Sequence, residues 1–237
     1  MNNTDPKHKL KYQGNMNFEF NLKNELVFDV GLNLGAKAQY LLESGASVVG
    51  FEPQEDCYRE ALNKLFFYSS IGSFKAENIA LSESVGFADF YRSNAHTISS
   101  MSTKFIEETK KQRFSNYNWE TKISVPTSTL DLAISKYGKP KYIKIDVEGF
   151  ELSVLKGLTS PVEYISIEFT PEIYSESEKC LNYLFELNSG QCKFNYVYKE
   201  NDHYFFDEWL DIDSIKSYLS NVNDFVNEFG DIYIKSF

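Results

Sequence analysis

The chain has 237 residues, of which 42% are hydrophobic and 24% are charged, a composition that supports one large folded domain and argues against long disordered segments. Its formal net charge of −10 would repel a phosphate backbone, so we expect no nucleic-acid partner. Three well-separated cysteines, Cys57, Cys180 and Cys192, argue against a disulfide framework and against a structural zinc site.

The N-terminal part of the chain carries no targeting pattern. Residues 1–11 are polar, and no apolar run approaches the roughly 20 residues of a membrane span, so we expect a cytoplasmic protein without a membrane partner. Residues 16–23 alternate apolar and polar side chains after a turn-prone Gly-Asn pair, a pattern typical of a β-hairpin. We therefore expect a tail and hairpin over residues 1–24, packed on a single domain over residues 25–237.

From residue 26 onward, short apolar strands alternate with helical stretches, as in a parallel sheet built from βαβ units. The predicted strands cover residues 26–30, 47–51, 74–79, 142–146, 162–169, 194–198 and 231–235. The predicted helices cover residues 35–44, 54–67, 130–137, 151–156, a stretch that begins at 171, and 212–225. The sequence thus predicts an α/β fold with a doubly wound, mostly parallel, seven-stranded Rossmann-like sheet.

The alternation breaks over residues 86–125, which we interpret as an insertion. Aromatic residues near 87–91 and an apolar run at 123–125 indicate short strands, and residues 105–113 predict a charged helix between them. Lys110, Lys111 and Arg113 form the densest basic cluster of the chain, and a charge run of this length is typical of a solvated helix face. An insertion of this length inside one domain indicates a functional or mobile segment.

A glycine turn follows the first predicted strand, with Gly31, Asn33 and Gly35 spaced as Gly-x-Asn-x-Gly. Glycines let the chain turn sharply and let a ligand approach the backbone, at the sheet edge where open α/β sheets bind ligands. The turn lacks the third glycine of the dinucleotide pattern and the Lys-Ser or Lys-Thr of a triphosphate loop. Taken alone, it fits a purely structural role equally well.

Two carboxylates near the turn favour a ligand-binding role over a purely structural one. Glu52 ends the second predicted strand about twenty residues after the turn, where a carboxylate can accept hydrogen bonds from both hydroxyls of an adenosine ribose. An acidic residue at a strand end can also be merely solvated, but together with the glycine turn it predicts an adenosine-type ligand. Asp29 beside the turn suits the ammonium and sulfonium of S-adenosylmethionine and would repel a pyrophosphate.

The most distinctive motif is Lys-Ile-Asp-Val-Glu-Gly at residues 144–149. Together with Phe-Asp-Val-Gly at 28–31, Phe-Glu-Pro at 51–53 and Thr-Leu-Asp at 129–131, it resembles the FkbM family of S-adenosylmethionine-dependent methyltransferases, from about residue 26 to residue 169. The resemblance implies a class I methyltransferase fold, S-adenosylmethionine as cofactor, and methyl transfer to a hydroxyl of a sugar or small secondary metabolite.

Carried over by position, the resemblance also implies cofactor-binding residues. These are Asp29, Gly31, Asn33 and Gly35 at the turn, Glu52 and Pro53 at the ribose, Asn78 and Ala80 beside the adenine, and Asp146. Residues 93–121 match no pattern of the family and leave the acceptor open, as the sequence does for the oligomeric state. A carbohydrate acceptor could stack on an exposed tyrosine or on Trp119.

Methyl transfer to a hydroxyl needs alignment and the removal of one proton. Asp146, which ends a strand at the same sheet edge, is the first candidate for the base, His96 is the second, and Glu168 could orient the acceptor. Three alternatives stay open: Asp146 could cap a helix or pair with Lys144, His96 could be an exposed loop residue, and Asp146, Glu168 and His96 could together hold a divalent ion, although no ligand spacing demands one.

Two neighbouring acids have a structural explanation. Glu148 and Glu151 suit the first turn of a helix, where negative charge is favourable.

Two other functions compete with methyl transfer. A nicotinamide-dependent oxidoreductase could use the same crevice, although the missing third glycine and Asp29 argue against it. A non-catalytic binding module with the same fold is the other alternative.

Overall fold

The computed structural model describes residues 20–199, 203–222 and 229–237. Its strands are β1 (Leu26–Val30), β2 (Ser47–Phe51), β3 (Phe74–Glu77), β4 (Ala80–Leu81), β5 (Gly86–Arg92), β6 (Thr121–Ser128), β7 (Tyr142–Ile145), β8 (Tyr164–Phe169), β9 (Cys192–Tyr198) and β10 (Gly230–Ser236). Its helices are α1 (Ala36–Glu43), α2 (Glu55–Lys64), α3 (Phe66–Ser70), α4 (Thr103–Lys110), α5 (Leu130–Tyr137), α6 (Glu151–Lys156), α7 (Tyr174–Leu187) and α8 (Ile212–Ser220).

The main sheet has seven strands in the order β3-β2-β1-β7-β8-β10-β9. Strand β10 runs antiparallel to β8 and β9. The other neighbouring pairs of this sheet, β3–β2, β2–β1, β1–β7 and β7–β8, are parallel. This confirms the predicted mostly parallel, seven-stranded α/β sheet. The strand order reverses between β1 and β7, and the carboxyl ends of these two central strands therefore border the crevice in which such sheets bind ligands.

Several predicted boundaries shift for local reasons. The predicted helix over 54–67 is interrupted at Leu65, which separates α2 from α3. The charged helix begins two residues early because the Ser102 hydroxyl accepts a hydrogen bond from the Phe105 backbone N–H (3.1 Å) and caps α4. The last predicted helix ends at Ser220, and residues 223–228 lie outside the described residues.

The predicted N-terminal hairpin lies mainly outside the described residues, and for residues 20–23 the strand prediction is wrong. A turn closed by the Glu25 N–H on the Leu22 carbonyl (3.0 Å) leads the chain directly into β1. Phe20 and Leu22 are buried but belong to no strand, and the Phe20 ring stacks on Tyr164 with centroids 3.8 Å apart. Their alternation therefore reflects burial of two side chains in an irregular segment.

Residues 86–128 fold as an antiparallel hairpin of β5 and β6, and β4 joins it in a three-stranded sheet. Between β5 and β6 the chain forms a short 3-10 turn (His96–Ile98) and α4. This segment packs over the carboxyl end of β7: the Ser100 hydroxyl donates to the Glu148 carbonyl (2.6 Å), and a Cβ at Gly149 would lie 2.6 Å from that of Phe105. The insertion therefore covers one side of the crevice.

The core consists of two apolar layers on opposite faces of the main sheet. Adjacent residues of a strand alternate between them, so that Val27 and Tyr142 pack on one face while Phe28 and Ile143 pack on the other. All three cysteines are buried and free. Among the described residues, no helix has both the length and the apolar character needed to cross a bilayer.

A chain of buried charges connects the two central strands. Asp29 of β1 lies in register with Lys144 of β7, and the Lys144 ammonium lies 3.4 Å from Asp29 Oδ1 and 3.0 Å from Asp146 Oδ2. Asp29 is fully buried, and burial raises the pKa of its carboxyl group against the opposing effect of Lys144. Burial alone would lower the pKa of Lys144, but Asp146 and Asp29 raise it well above its ordinary value. Each charge is thus stabilised mainly by the others.

We predict that Lys144→Met lowers the free energy of unfolding by about 3–5 kcal/mol, because it leaves the Asp29 carboxylate buried without its cation. The measurement is urea denaturation followed by circular dichroism. Lys179→Met removes a lysine from an exposed pair with Glu176 and should cost less than about 1 kcal/mol. Equal losses for the two variants would contradict a structural role for the buried chain.

Candidate active site

A cavity of about 680 Å³ opens at the carboxyl ends of the central strands, a volume in the usual range for small-molecule sites. Its floor is formed by residues that follow β1, β2 and β7, and the insertion forms one of its walls. The sequence-predicted residues that line it are Gly31, Asn33, Glu52, Pro53, Ala80, His96, Asp146 and Glu168. The other three sequence-predicted residues lie next to the lining without being part of it: Asp29, Gly35 and Asn78.

The glycine turn brings the backbone of β1 against the end of β7. Gly31 has φ +85°, and a Cβ there would overlap the carbonyl oxygen of Asp146. The N–H groups of Gly31 and Leu32 both donate to the Phe51 carbonyl (3.1 Å each). Asn33 also has positive φ (+50°), and Gly35, with φ +75°, precedes α1. Only glycine fits the contact at position 31, so the turn is shaped by close backbone approach.

The Glu52 carboxylate is held in place by the backbone on either side of it. Its Oε2 accepts a hydrogen bond from the Asn33 N–H and its Oε1 from the Gln54 N–H, both at 2.8 Å. Burial raises the pKa of Glu52 to about 7, although these two hydrogen bonds lower it. The side chain is 4% exposed and lines the cavity, so both oxygens are fixed at the point where the turn meets β2.

The segment after β3 supports this corner of the cavity. The Asn78 side-chain amide donates to the backbone carbonyls of Glu52 (2.8 Å) and Pro53 (3.1 Å), which fixes the chain after β2. The apolar wall next to it includes Ala80, Leu81, Phe90, Ile98 and Met101. A flat apolar group can therefore pack between β4 and the insertion, close to the Glu52 carboxylate.

Asp29 does not line the cavity; its carboxylate lies beneath the turn and pairs with Lys144. Lys144 and Asp146 do line it, and the pairing of Asp146 with Lys144 that the sequence left open is present. Lys37 in the first turn of α1 adds a second, partly buried cation to the lining. Burial lowers the pKa of the Lys37 ammonium, and Asp231 opposes that effect.

Three carboxylates meet at the other end of the cavity. One oxygen from each of Asp146, Glu148 and Glu168 lies within 4.8 Å of the other two. Burial, reinforced by the neighbouring carboxylates, raises the pKa of Glu148 and of Glu168 well above the ordinary value of 4.5. The Oε2 atom of Glu168 is buried and has no hydrogen-bond partner among the described residues.

The sequence-based metal set of Asp146, Glu168 and His96 is wrong in one member, since the cluster contains Glu148 and excludes His96. His96 lies in the 3-10 turn of the insertion, where its backbone carbonyl accepts a hydrogen bond from the Gln54 side chain (3.2 Å). That hydrogen bond holds the backbone of His96 beside the end of β2. Its Nδ1 atom is buried and has no hydrogen-bond partner among the described residues.

Two residues of the insertion also differ from expectation. Arg113 lies beyond the end of α4 with its side chain 11% exposed, lines the cavity and pairs with the buried Glu172 (3.1 Å), so the solvated-face interpretation is wrong for it. Lys111 does lie on the surface, paired with Glu108. The Trp119 indole N–H donates to the Ile98 carbonyl (2.8 Å), which fixes the ring within the insertion.

Sequence reasoning missed Glu148 as a residue of the cavity. Helix α6 begins at Glu151, whose carboxylate accepts hydrogen bonds from the N–H groups of Val147 and Gly149 (3.1 Å each), so the helix-start interpretation is confirmed for Glu151. Glu148 precedes the helix in a left-handed conformation (φ +55°) that turns its side chain into the cavity. The glycine at position 149 was the available signal of an unusual backbone at this point.

Comparisons with known proteins identify a family and a relative of this chain. A family model described as "Methyltransferase FkbM domain" matches residues 29–231. The methyltransferase sdnD of Sordaria araneosa is 27% identical over 157 residues, which cover 57% of this chain and 61% of that protein, so the chain spans about three-fifths of the length of this relative.

The fold has a solved counterpart as well. The crystal structure of the methyltransferase FkbM from Methylobacillus flagellatus KT gives a TM-score of 0.55 at 15% sequence identity, covering 89% of this chain and 43% of that one. At this identity the likeness supports the fold alone. Because the family model covers most of the sequence, the resemblance seen in the motifs is confirmed, and the chain belongs to the FkbM methyltransferase family.

Proposed function

We propose that the chain is an S-adenosylmethionine-dependent O-methyltransferase that acts on a hydroxyl group of a sugar or another small metabolite. The observation that carries the proposal is the Glu52 carboxylate, fixed by two backbone hydrogen bonds at the mouth of the glycine turn. A carboxylate in this place is suited to two ribose hydroxyls. Membership of a methyltransferase family is consistent with that donor.

The donor fits the cavity in one direction. Its ribose would bind Glu52, and its adenine would lie against the apolar wall near Ala80. This wall adjoins the segment after β2, in which the Pro53 carbonyl accepts a hydrogen bond from Asn78. Its methionine part would follow the backbone of the turn from Gly31 to Gly35. Asp29 would act on it through Lys144, since the Asp29 carboxylate lies beneath the turn.

The reaction is a displacement at the methyl carbon. The acceptor oxygen forms a bond to that carbon, the carbon–sulfur bond breaks with its electron pair going to sulfur, and the hydroxyl proton passes to a base. Asp146 is our first candidate for the base and Glu168 for orienting the acceptor, because both line the cavity at its acidic end. His96 lines the cavity on the β2 side and is the second candidate for the base.

The charge of the cavity bears on the acceptor. Its acidic end favours a neutral or cationic acceptor over a phosphate-bearing polymer, in line with the net charge of −10. The nicotinamide oxidoreductase remains the competing enzyme, and a binding module that does not turn over is the competing non-enzyme. The three buried free thiols agree with a cytoplasmic location.

The first test measures ligand binding by isothermal titration calorimetry. We expect S-adenosylhomocysteine to bind and NADH not to bind. Glu52→Gln should weaken S-adenosylhomocysteine binding about tenfold or more, since an amide cannot accept both backbone hydrogen bonds and the ribose hydroxyls. Glu55→Gln, on the exposed start of α2, is the matched control. Tighter binding of NADH would contradict the proposal.

The second test uses the raised pKa of Glu52. The ionised carboxylate accepts hydrogen bonds from the ribose, so affinity for S-adenosylhomocysteine should rise about tenfold between pH 6 and pH 8, through the pKa of about 7. The stability of the ligand-free protein should move the other way. Because the folded pKa lies above the unfolded one, the contribution of protonated Glu52 is lost as pH rises through 7. Calorimetry on Glu52→Gln should show no such rise in affinity.

The third test measures turnover. Incubation with S-adenosylmethionine and a panel of hydroxylated sugars and metabolites should yield S-adenosylhomocysteine and a methylated product, detected by mass spectrometry. Asp146→Asn should lower kcat about 100-fold or more if Asp146 is the base. Asp89→Asn, on exposed β5, should leave turnover unchanged. Full turnover by Asp146→Asn would remove Asp146 from that role, and a lack of product with every acceptor would favour the binding module.

A further inference from the structure

We propose that Asp146, Glu148 and Glu168 form a binding site for a divalent metal ion at the acceptor end of the cavity. The role given to the ion below rests on the proposed methyl transfer, but the site itself follows from the arrangement of these side chains. They come from three different parts of the chain: the end of β7, the turn before α6, and β8. We call them the carboxylate cluster.

The geometry of the cluster suits a hard cation. One oxygen from each residue lies within 4.8 Å of the other two, so a single ion can contact all three after small side-chain rotations. Carboxylate oxygens without nitrogen or sulfur ligands are the set that Mg²⁺, Mn²⁺ and Ca²⁺ prefer. Such ions also retain water or substrate oxygens, for which the adjoining cavity has room.

An independent observation comes from Glu168. Its Oε2 atom is buried and has no hydrogen-bond donor among the described residues, and Glu168 itself lines the cavity as a member of the cluster. A buried polar atom without a partner is unfavourable and calls for an explanation, such as an ion that binds there. Glu52 and Glu151, by contrast, are buried carboxylates that each accept two backbone N–H hydrogen bonds.

The nearest cations do not pair with the two glutamates of the cluster. Lys144 pairs with Asp29 and with Asp146, and Arg113 pairs with Glu172. In the described parts of the chain, no lysine, arginine or histidine comes within ion-pair distance of Glu148 or Glu168. Two partly buried acids side by side repel each other when both are ionised, and a divalent ion between them would convert that repulsion into attraction.

The position of the cluster gives the ion a role. The backbone of Asp146 touches the glycine turn, because its N–H donates to the Val30 carbonyl (3.0 Å) and its carbonyl lies against Gly31. An ion in the cluster would therefore lie between the donor turn and the acceptor space. Bound to the acceptor hydroxyl, it would lower the pKa of that group, whose proton would leave to water, and Asp146 would then act as a ligand.

The test is Mn²⁺ binding to the full chain after treatment with EDTA, followed by electron paramagnetic resonance. We expect saturable binding of one Mn²⁺ per chain, weakened about tenfold or more by Glu168→Gln and separately by Glu148→Gln. Glu83→Gln, which removes an exposed carboxylate paired with Lys156, is the control and should bind as the unmodified chain does. The two cluster variants keep the size of each side chain, and either one suffices if the other does not fold.

Melting temperatures provide a second readout. Mn²⁺ should raise the melting temperature of the unmodified chain, and Glu168→Gln should abolish this metal-dependent rise. Mn²⁺ binding that is absent, or unchanged in both cluster variants, would overturn the proposal. If S-adenosylhomocysteine binds but Mn²⁺ does not, the metal site fails and the proposed function stands. If Mn²⁺ binds through the cluster but S-adenosylhomocysteine does not, the site stands and the proposed function fails.

Discussion

The buried chain of charges Asp29–Lys144–Asp146 is the constraint on which the rest of the structure depends. The register of β1 against β7 places Asp29 beside Lys144, and the lysine then holds the Asp146 carboxylate at the strand end. A one-residue slip between these strands would turn Lys144 to the other face and leave Asp29 without its cation. The same register brings the Asp146 carbonyl against Gly31, so the charges and the shape of the turn are fixed together.

The cavity has two ends with different electrostatics. At one end, the Glu52 carboxylate is held by backbone N–H groups and faces an apolar wall, which suits a neutral nucleoside with hydroxyl donors. At the other, the Glu148 and Glu168 side chains have, within the described part of the chain, no ionic partner like the lysine that pairs with Asp146. A binding site can tolerate such repulsion when it is offset by a cation or a proton, and this makes the second end the more sensitive to what is bound.

Much of the fold could be predicted because its signals are local. β1, β2, α5 and α6 begin and end where the apolar pattern indicates, since each is a short element bounded by clear polar or glycine residues. The contribution of Glu148 could not be predicted, because it depends on a left-handed backbone immediately before a helix. The partly buried position of Arg113 could not be predicted either, because it depends on pairing with Glu172, which is distant in sequence. The alternation that includes Phe20 and Leu22 predicts a strand, but in the described residues it accompanies the burial of two side chains in an irregular segment.

The insertion contacts the cavity at both of its ends. Its hairpin and α4 close the cavity from one side, through the Gln54 contact with His96 near Glu52 and the Ser100 contact with Glu148 at the acidic end. Residues of the insertion thus touch both ends of the cavity, while the strand ends beneath them carry the motifs named in the sequence analysis. Because Ser100 holds the Glu148 backbone, a change in the insertion would also reorient a member of the carboxylate cluster. Under the proposed function, the choice of acceptor and the chemistry at the acidic end would therefore be coupled through one segment.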